Sequence, residues 1–265
     1  MVNGSADLLR ELIAILRSGG IEDAELEAKW ILEDIADENK ACDIATRRAQ
    51  HEPLQYLLGA WEFYGLPIRV GKGVLIPRAD TETLVDTALE RLRDVKNPVI
   101  ADLCAGSGCI GLAIKSQRRD AEITGIEQSG KALNYAVPNA LHLGLDVQFF
   151  RGDVLDSNVY RLFRGLDAIV CNPPYLTAED MAHLQPEVTH EPAEALSGGD
   201  DGLYFYREIT RLWRDSLNAG GFLAYEVGIG QAAAVAEILR ENGYTDIGTV
   251  RDLNGVERVV IGYRT

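Results

Sequence analysis

The 265 residues predict an α/β fold: a mostly parallel sheet covered by helices on both faces, preceded by a helical segment and closed by an antiparallel strand. Three observations carry this. After Asn97-Pro98, short apolar runs alternate with helical stretches, the signature of βα units. A glycine-rich turn joins the first such run to the first such helix. The last two runs, near 245–250 and 256–263, lie too close together for a helical crossover, so the final strand is expected to be antiparallel.

The elements follow in chain order. Leu8, Leu12, Ile15 and Leu16 fall on one helical face, and Gly19-Gly20 ends that run. Asp23 is the expected N-cap of a second helix, which buries Ala24, Ala28, Ile31 and Ile35. A third helix is expected near 41–50. Residues 1–50 thus read as a small helical domain with no catalytic pattern, suited to gripping a partner. Residues 51–80 read as a linker rich in aromatics, Pro and Gly. In it Ile68 and Val70, then Val74, Leu75 and Ile76, suggest a β-hairpin turning at Gly71-Lys72-Gly73. Asp80 is placed to cap a helix whose apolar face is Leu84, Val85, Ala88, Leu89 and Leu92. Residues 81–265 make the α/β domain. Strands are expected at 99–103, 123–126, 147–150, 168–171 and 222–227. Helices are expected at 109–117, 129–142 (bent at Pro138), 202–217 and 230–241.

Composition narrows the function. Forty-one acidic against 26 basic residues give a net charge of −15, shared as −6 over residues 1–70 and −9 over the rest. Both parts are acidic, which argues against holding long nucleic acid through its phosphates. No stretch approaches the roughly 18 apolar residues of a membrane span. Met1-Val2-Asn3-Gly4-Ser5 has neither the basic nor the apolar part of a secretory leader, so a cytoplasmic protein is expected. Cys42, Cys104, Cys109 and Cys171 form no CxxC pair and stand at no metal-ligand spacing to a His, so buried reduced thiols and no metal site are expected. His51, His142, His183 and His190 read as surface or packing residues.

The chemistry concentrates at two places. Gly106-Ser107-Gly108-Cys109-Ile110-Gly111 is a GxGxxG turn between a strand and a helix. Glycine there permits a tight turn and close approach of a ligand. Glu127, about 20 residues on, ends the next strand, where an acid accepts hydrogen bonds from ribose hydroxyls. Asp153 ends the third strand, where a carboxylate can accept from an adenine amino group. This much says a nucleotide-type cofactor; an NAD enzyme and an S-adenosylmethionine enzyme both begin so. The second place is Asn172-Pro173-Pro174-Tyr175, directly after an apolar strand. Two prolines force the chain out of the ladder and stiffen it. The Asn172 amide oxygen and the Pro173 carbonyl can then converge on one planar NH2 group, with Tyr175 over its face. An NAD enzyme has no use for this tetrapeptide.

These residues make the chain similar to S-adenosylmethionine-dependent methyltransferases of planar nitrogens. More closely, it resembles the HemK/PrmC family, which methylates the glutamine side-chain amide in the GGQ loop of peptide-chain release factors. The resemblance runs through Pro53-Leu54-Gln55-Tyr56-Leu57-Leu58-Gly59, Glu62-Phe63-Tyr64-Gly65 and Leu75-Ile76-Pro77-Arg78-Ala79-Asp80-Thr81-Glu82. It continues in Glu191-Pro192-Ala193-Glu194-Ala195-Leu196-Ser197-Gly198-Gly199, Asp201-Gly202-Leu203 and Gly220-Gly221-Phe222-Leu223-Ala224-Tyr225-Glu226-Val227-Gly228. It implies a class I (Rossmann-like) methyltransferase sheet. It also implies cofactor contacts from Cys104, Ala105, Gly106, Ser107, Gly108, Glu127, Asp153, Val154 and Asn172, and an acceptor site at Asn172, Pro173, Pro174 and Tyr175. Arg78, Glu191 and Glu194 are candidates for the rim.

The chain departs from the family at four positions. Cys104 stands for a usual glycine, which a negative φ would tolerate. Glu127 stands for Asp, Ala79 for Pro, and Val154 for an aromatic residue that packs on adenine. A ribosomal protein glutamine is the nearest alternative acceptor. Adenine methylation of nucleic acid is a more distant one, because no basic duplex grip is found. A silent binding module fits poorly with so many retained site residues.

Overall fold

The computed structural model describes residues 2–265, with side chains from residue 6 on; Met1, the first residue of the expected leader-free start, lies outside them. Three helices open the chain: α1 (Val2–Ser18), α2 (Ala24–Asp34) and α3 (Glu38–Arg48). Leu12 and Leu16 of α1 pack on Ala24, Ala28 and Ile31 of α2 and on Ala41, Ile44 and Ala45 of α3, all buried. Asp23 does stand at the N-cap of α2, but its side chain makes no capping bond. At φ −90 and ψ 34 it lacks the extended backbone of an N-cap, and its carbonyl alone meets the first turn. Asp37, extended at ψ 118, does cap α3 by accepting from Lys40 N.

A short α4 (Leu54–Leu58) leads into a two-stranded hairpin, β1 (Ala60–Phe63) and β2 (Leu66–Arg69). The expected turn at Gly71-Lys72-Gly73 is therefore wrong. The hairpin reverses at Tyr64-Gly65, both at positive φ (53 and 71), the primed turn whose twist matches paired strands. Gly71 has a different use: a Cβ there would sit 2.4 Å from the Tyr135 hydroxyl. Val74, Leu75 and Ile76 are not a strand. The expected cap at Asp80 is also corrected. Asp80 lies in a 3-10 turn (Ala79–Thr81) and pairs with Arg258 at 3.0 Å. Helix α5 (Glu82–Arg91) starts after Thr81; of its expected face Leu84, Val85, Ala88 and Leu92 are buried and Leu89 is half-buried.

The sheet is built from β3 (Val99–Leu103), β4 (Glu122–Glu127), β5 (Gln148–Arg151), β6 (Leu166–Cys171), β7 (Leu217–Glu226), β8 (Tyr244–Arg251) and β9 (Glu257–Arg264). Their order is β5-β4-β3-β6-β7-β9-β8, and β9 alone runs opposite to the rest, pairing antiparallel with both β7 and β8. Successive side chains alternate between faces. In β6, Ala168 and Val170 join one core, while Ile169 and Cys171 join the other. The first core takes residues of α5, of α6 (Cys109–Gln117) and of α7 (Gly130–Leu143), which continues through Pro138. The short α8 (Ser157–Tyr160) and α9 (Ala178–Ala182) precede α10 (Tyr204–Trp213) and α11 (Ala232–Glu241). The last two supply the second core, in which Trp213 is fully buried and donates to the Val154 carbonyl at 2.8 Å. No helix among the described residues is long and apolar enough to cross a membrane.

The strand order places the site. From β3 the chain moves outward through β4 and β5, then returns to lay β6 on the other side of β3. The carboxyl ends of β3 and β6 are thus a topological switch point, where open α/β sheets bind ligands. The glycine turn follows β3 and the Asn-Pro-Pro-Tyr turn follows β6.

Candidate active site

The chain leaves β3 in a chain of left-handed residues. Cys104, Gly106 and Gly108 have φ of 60, 57 and 80. The negative φ that would tolerate a side chain at Cys104 is not the one found. The left-handed step directs Ala105 N onto the Ile126 carbonyl of β4 at 3.1 Å, and a side chain there is strained. The Cys104 thiol packs against the second core beside Cys171. Cβ space separates the two glycines. At Gly106 the nearest atom a Cβ would meet is 4.0 Å away, so the backbone faces open space. At Gly108 the Phe149 ring would be 2.5 Å away, so this glycine serves packing and does not line the cavity.

That cavity, about 900 Å3, lies across the switch point. Cys104, Ala105, Gly106, Ser107, Glu127, Asp153, Val154, Asn172 and Pro174 of the sequence-derived set line it. Glu127 ends β4 with one oxygen accepting from Gly106 N at 2.9 Å and the other from Ser129 N at 2.7 Å. Burial pushes its pKa up, partly offset by these bonds. Each oxygen keeps a lone pair for a hydroxyl. Asp153 holds its own turn by accepting from Leu155 N at 2.9 Å. Beneath the turn, Asp102 is fully buried and accepts from Gly111 N at 2.9 Å. Burial pushes it up to about 7.

Asn172 leaves β6 where the prolines begin. Its Nδ2 donates to the Thr81 hydroxyl at 3.4 Å, which turns the carboxamide oxygen away from Thr81. Among the described residues no donor reaches Asn172 Oδ1 or the Pro173 carbonyl. Pro173 is buried behind Asn172, and Pro173 and Tyr175 are outside the cavity lining. Tyr175 is held by its carbonyl, which accepts from Gln231 Nε2 at 3.0 Å, and burial pushes its hydroxyl up to about 12. Gln231 also accepts from Gly228 N through Oε1 at 3.0 Å. A second clamp is the pair Leu176 N to Leu196 O (2.9 Å) and Gly198 N to Leu176 O (2.8 Å).

Comparison with known proteins bears on this arrangement. A model of the methyltransferase small domain matches residues 80–200. The release factor glutamine methyltransferase of Geobacter sulfurreducens is 41% identical over 266 residues, covering 93% of this chain and 92% of its own. The chain belongs to the release factor glutamine methyltransferase family. Solved structures of lower identity agree in fold. The hMettl16 catalytic domain in complex with MAT2A 3′UTR hairpin 6 matches with a TM-score of 0.63 at 16% identity, covering 84% of this chain and 82% of that one. A methyltransferase from Pyrococcus furiosus matches with a TM-score of 0.56 at 17% identity, covering 76% and 90%. The mostly parallel sheet with its antiparallel C-terminal strand and the leading helices are found as expected, and a hairpin is present, though built from other residues than those expected.

Family membership gives the remaining motifs a place. The Asp201-Gly202-Leu203 segment approaches Tyr175 so closely that a Cβ on Gly202 would be 2.4 Å from the Tyr175 carbonyl. The expected rim residue Arg78 lines the cavity and pairs with Glu191, whose other oxygen accepts from Ile76 N at 3.0 Å. Glu191 is therefore a buried brace, while Glu194 lines the cavity. Three neighbours of the site were not read from the sequence. Phe205, on α10, lines the same cavity as Val154. Thr81 holds the Asn172 amide. Glu226, at the end of β7, is 1% exposed beside them. The motif carrying Glu226 was visible, but an acid ending an apolar strand has no signal of its partners.

Proposed function

We propose that this chain transfers a methyl group from S-adenosylmethionine to the side-chain amide nitrogen of the glutamine in the GGQ motif of peptide-chain release factors. The observation that carries the reading is the pair of free acceptors, Asn172 Oδ1 and the Pro173 carbonyl, fixed by rigid prolines beside the cofactor-type turn. Relatives named for this reaction match over most of the chain.

The cavity fits the methyl donor. Its lining combines the bare backbone of Gly106, the acceptor Glu127 and the apolar Val154 and Phe205, an apolar wall with a few placed polar groups. Ser107 Oγ is buried in the lining beside the Cys109 thiol. We assign Glu127 to the ribose hydroxyls, Asp153 to the adenine amino group, and Ala105, Gly106 and Ser107 to the amino-acid end. Val154 and Phe205 flank the adenine ring. When bound, S-adenosylmethionine supplies an electrophilic methyl group on a sulfonium.

The protein's own work is orientation and charge placement. An amide nitrogen is a poor nucleophile because its lone pair is delocalised into the carbonyl. Acceptors on both amide hydrogens, Asn172 Oδ1 and the Pro173 carbonyl, favour the geometry in which nitrogen offers that pair and gains positive charge. Tyr175 restrains the amide plane, which contributes the orientation effect. The proton becomes acidic once nitrogen is alkylated, so no strong base is required beforehand.

We divide the chain into a partner-binding helical domain over 1–50, a linker over 51–80 and the methyltransferase domain over 81–265. A second cleft, about 1370 Å3, lies between the leading helices and residues 185–191 and shares Ile76 and Arg78 with the first cavity. A protein substrate bound in it would present a loop at Asn172. The test is methyl incorporation from labelled S-adenosylmethionine into a release factor, the same factor with its GGQ glutamine changed to alanine, a ribosomal fraction and duplex DNA. Label on the intact factor alone is expected. Label on a ribosomal protein would change the partner, and label on DNA would overturn the reading.

A further inference from the structure

We propose that Glu226 is a positioning residue whose buried carboxylate fixes the direction of the Asn172 carboxamide, so that Oδ1 points to the acceptor amide. This rests on the glutamine-methylation reading. The geometry begins in the sheet. Cys171 of β6 is opposite Tyr225 of β7 in a parallel pair, so Asn172 and Glu226 follow side by side at the two strand ends. Glu226 is 1% exposed, and the Thr81 hydroxyl and the Asn172 carboxamide both face its carboxyl group. Its Oε2 is buried with no hydrogen-bond partner among the described residues.

A carboxylate only accepts, whereas a carboxamide has a donating and an accepting end. With Glu226 ionised, the arrangement that satisfies every group has one sense. Asn172 Nδ2 donates to Thr81 Oγ, as observed, and its NH2 end lies on the Glu226 side. The Thr81 hydroxyl proton then turns to Glu226. Oδ1 is left facing away, as an acceptor. The opposite flip would set Oδ1 against a buried carboxylate, two acceptors with no proton between them, which is costly in a low-dielectric site. A protonated Glu226 removes this discrimination, since it can donate to Oδ1 and satisfy the flipped amide.

Other groups also face Glu226. Arg258 of β9 and Asp80 ahead of α5 act on it with opposite signs. Tyr175, Tyr206 of α10, Cys171 of β6 and Cys109 of α6 are near enough to feel its charge. Arg258 is already engaged by Asp80 at 3.0 Å and Asp252 at 3.3 Å, so it does not neutralise Glu226 alone. Burial pushes Glu226 up to about 7 against the opposing pull of Thr81 and Arg258. The proton that decides the flip therefore leaves in the neutral range.

The experiment is the pH profile of kcat for the full chain with a release factor, for the wild type and Glu226→Gln. The wild type is expected to gain activity as pH rises through about 7. Glu226→Gln, which donates and accepts at every pH, is expected to lose that limb. At pH 8.5 its kcat should be about tenfold lower, with the dissociation constant for S-adenosylmethionine within about twofold of wild type. A variant that keeps the limb, or loses cofactor affinity and kcat equally, overturns the proposal. If the variant does not fold, the Asn172 side-chain amide resonances of the wild type are titrated by NMR. A shift with an apparent pKa near 7 supports the proposal and a flat response overturns it. The two readings fail separately. Absence of methyl transfer by the wild type at every pH would remove the acceptor assignment, and the Asn172 titration would still report on Glu226.

Discussion

Asn172 and Cys104 line the same cavity from the adjacent ends of β6 and β3 and answer different questions. If the carboxamide acts on charge that develops only in the transition state, removing it costs rate more than binding. Asn172→Ala is therefore expected to lower kcat by about 10²–10³-fold, the usual loss of one preorganised electrostatic partner. Affinity for S-adenosylmethionine should fall much less, as Glu127 and the glycine turn remain; equilibrium binding of labelled donor checks this. Equal losses would remove Asn172 from the acceptor site. Cys104 concerns strain. It carries a Cβ at φ 60, where glycine is at ease. Cys104→Gly and Cys104→Ala both delete the thiol packed beside Cys171, and only the first relieves the backbone. Glycine is expected to be the more stable of the two by about 1 kcal/mol in urea unfolding. Alanine equal to or above glycine would mean that the strain is absent.

At the scale of elements, the leading helices are tied to the rest of the chain by ions. Arg48 of α3 is 8% exposed and bonds Glu27 of α2 at 2.7 Å and Glu187 at 2.8 Å. His51 Nδ1 meets the same Glu187 oxygen at 2.9 Å. Burial raises the Glu187 pKa, but the His51 and Arg48 hydrogen bonds outweigh it and hold the carboxyl down at about 2. Replacing Arg48 by Met leaves Glu27 and Glu187 facing each other across a half-buried gap. A loss of about 2 kcal/mol is expected, below the about 3–5 kcal/mol of a fully buried pair. Hydrogen exchange should show α2 and α3 opening first. None of this network was legible in the sequence, because Arg48 and Glu187 are far apart in the chain and neither belongs to a periodic pattern. His51 read as a surface or packing residue, with no sign of its partner, for the same reason. The β-strands of the large sheet were legible because strands buried on both faces are apolar throughout. The small hairpin was not. Its turn uses Tyr64 at positive φ, and of the more conspicuous glycines Gly71 makes room for Tyr135 while Gly73, at φ 99, lies against Lys131. The candidate site was legible in Asn172 and the prolines; its contacts with Thr81 and Glu226 come from two other elements that only the fold brings to it.

For the whole molecule, the buried acids set the dependence of stability on pH. Asp102 and Glu226 are both raised to about 7 from ordinary values of 3.8 and 4.5. A raised carboxyl favours the folded state while protonated, so its contribution is complete below the ordinary value and is lost as pH rises to about 7. Glu187 and Asp201 are depressed to about 2, Asp201 by Arg207, and they act oppositely. Their contribution is present above the ordinary carboxylate range and is lost as pH falls towards 2. Together these shifts place the stability maximum near pH 4–5, with a decline to pH 7 and a plateau beyond. The urea midpoint is expected to be higher at pH 5 than at pH 8. The net charge of −15 works in the same direction, because self-repulsion grows as the remaining carboxyls ionise. Salt separates the two causes. At 0.15 M the Debye length is about 8 Å, which screens surface repulsion and leaves a fully buried carboxyl almost untouched. Asp102→Asn, which can still accept from Gly111 N, should flatten the decline between pH 5 and 7 at high salt. A decline that salt abolishes and Asp102→Asn leaves unchanged would assign the whole effect to the surface.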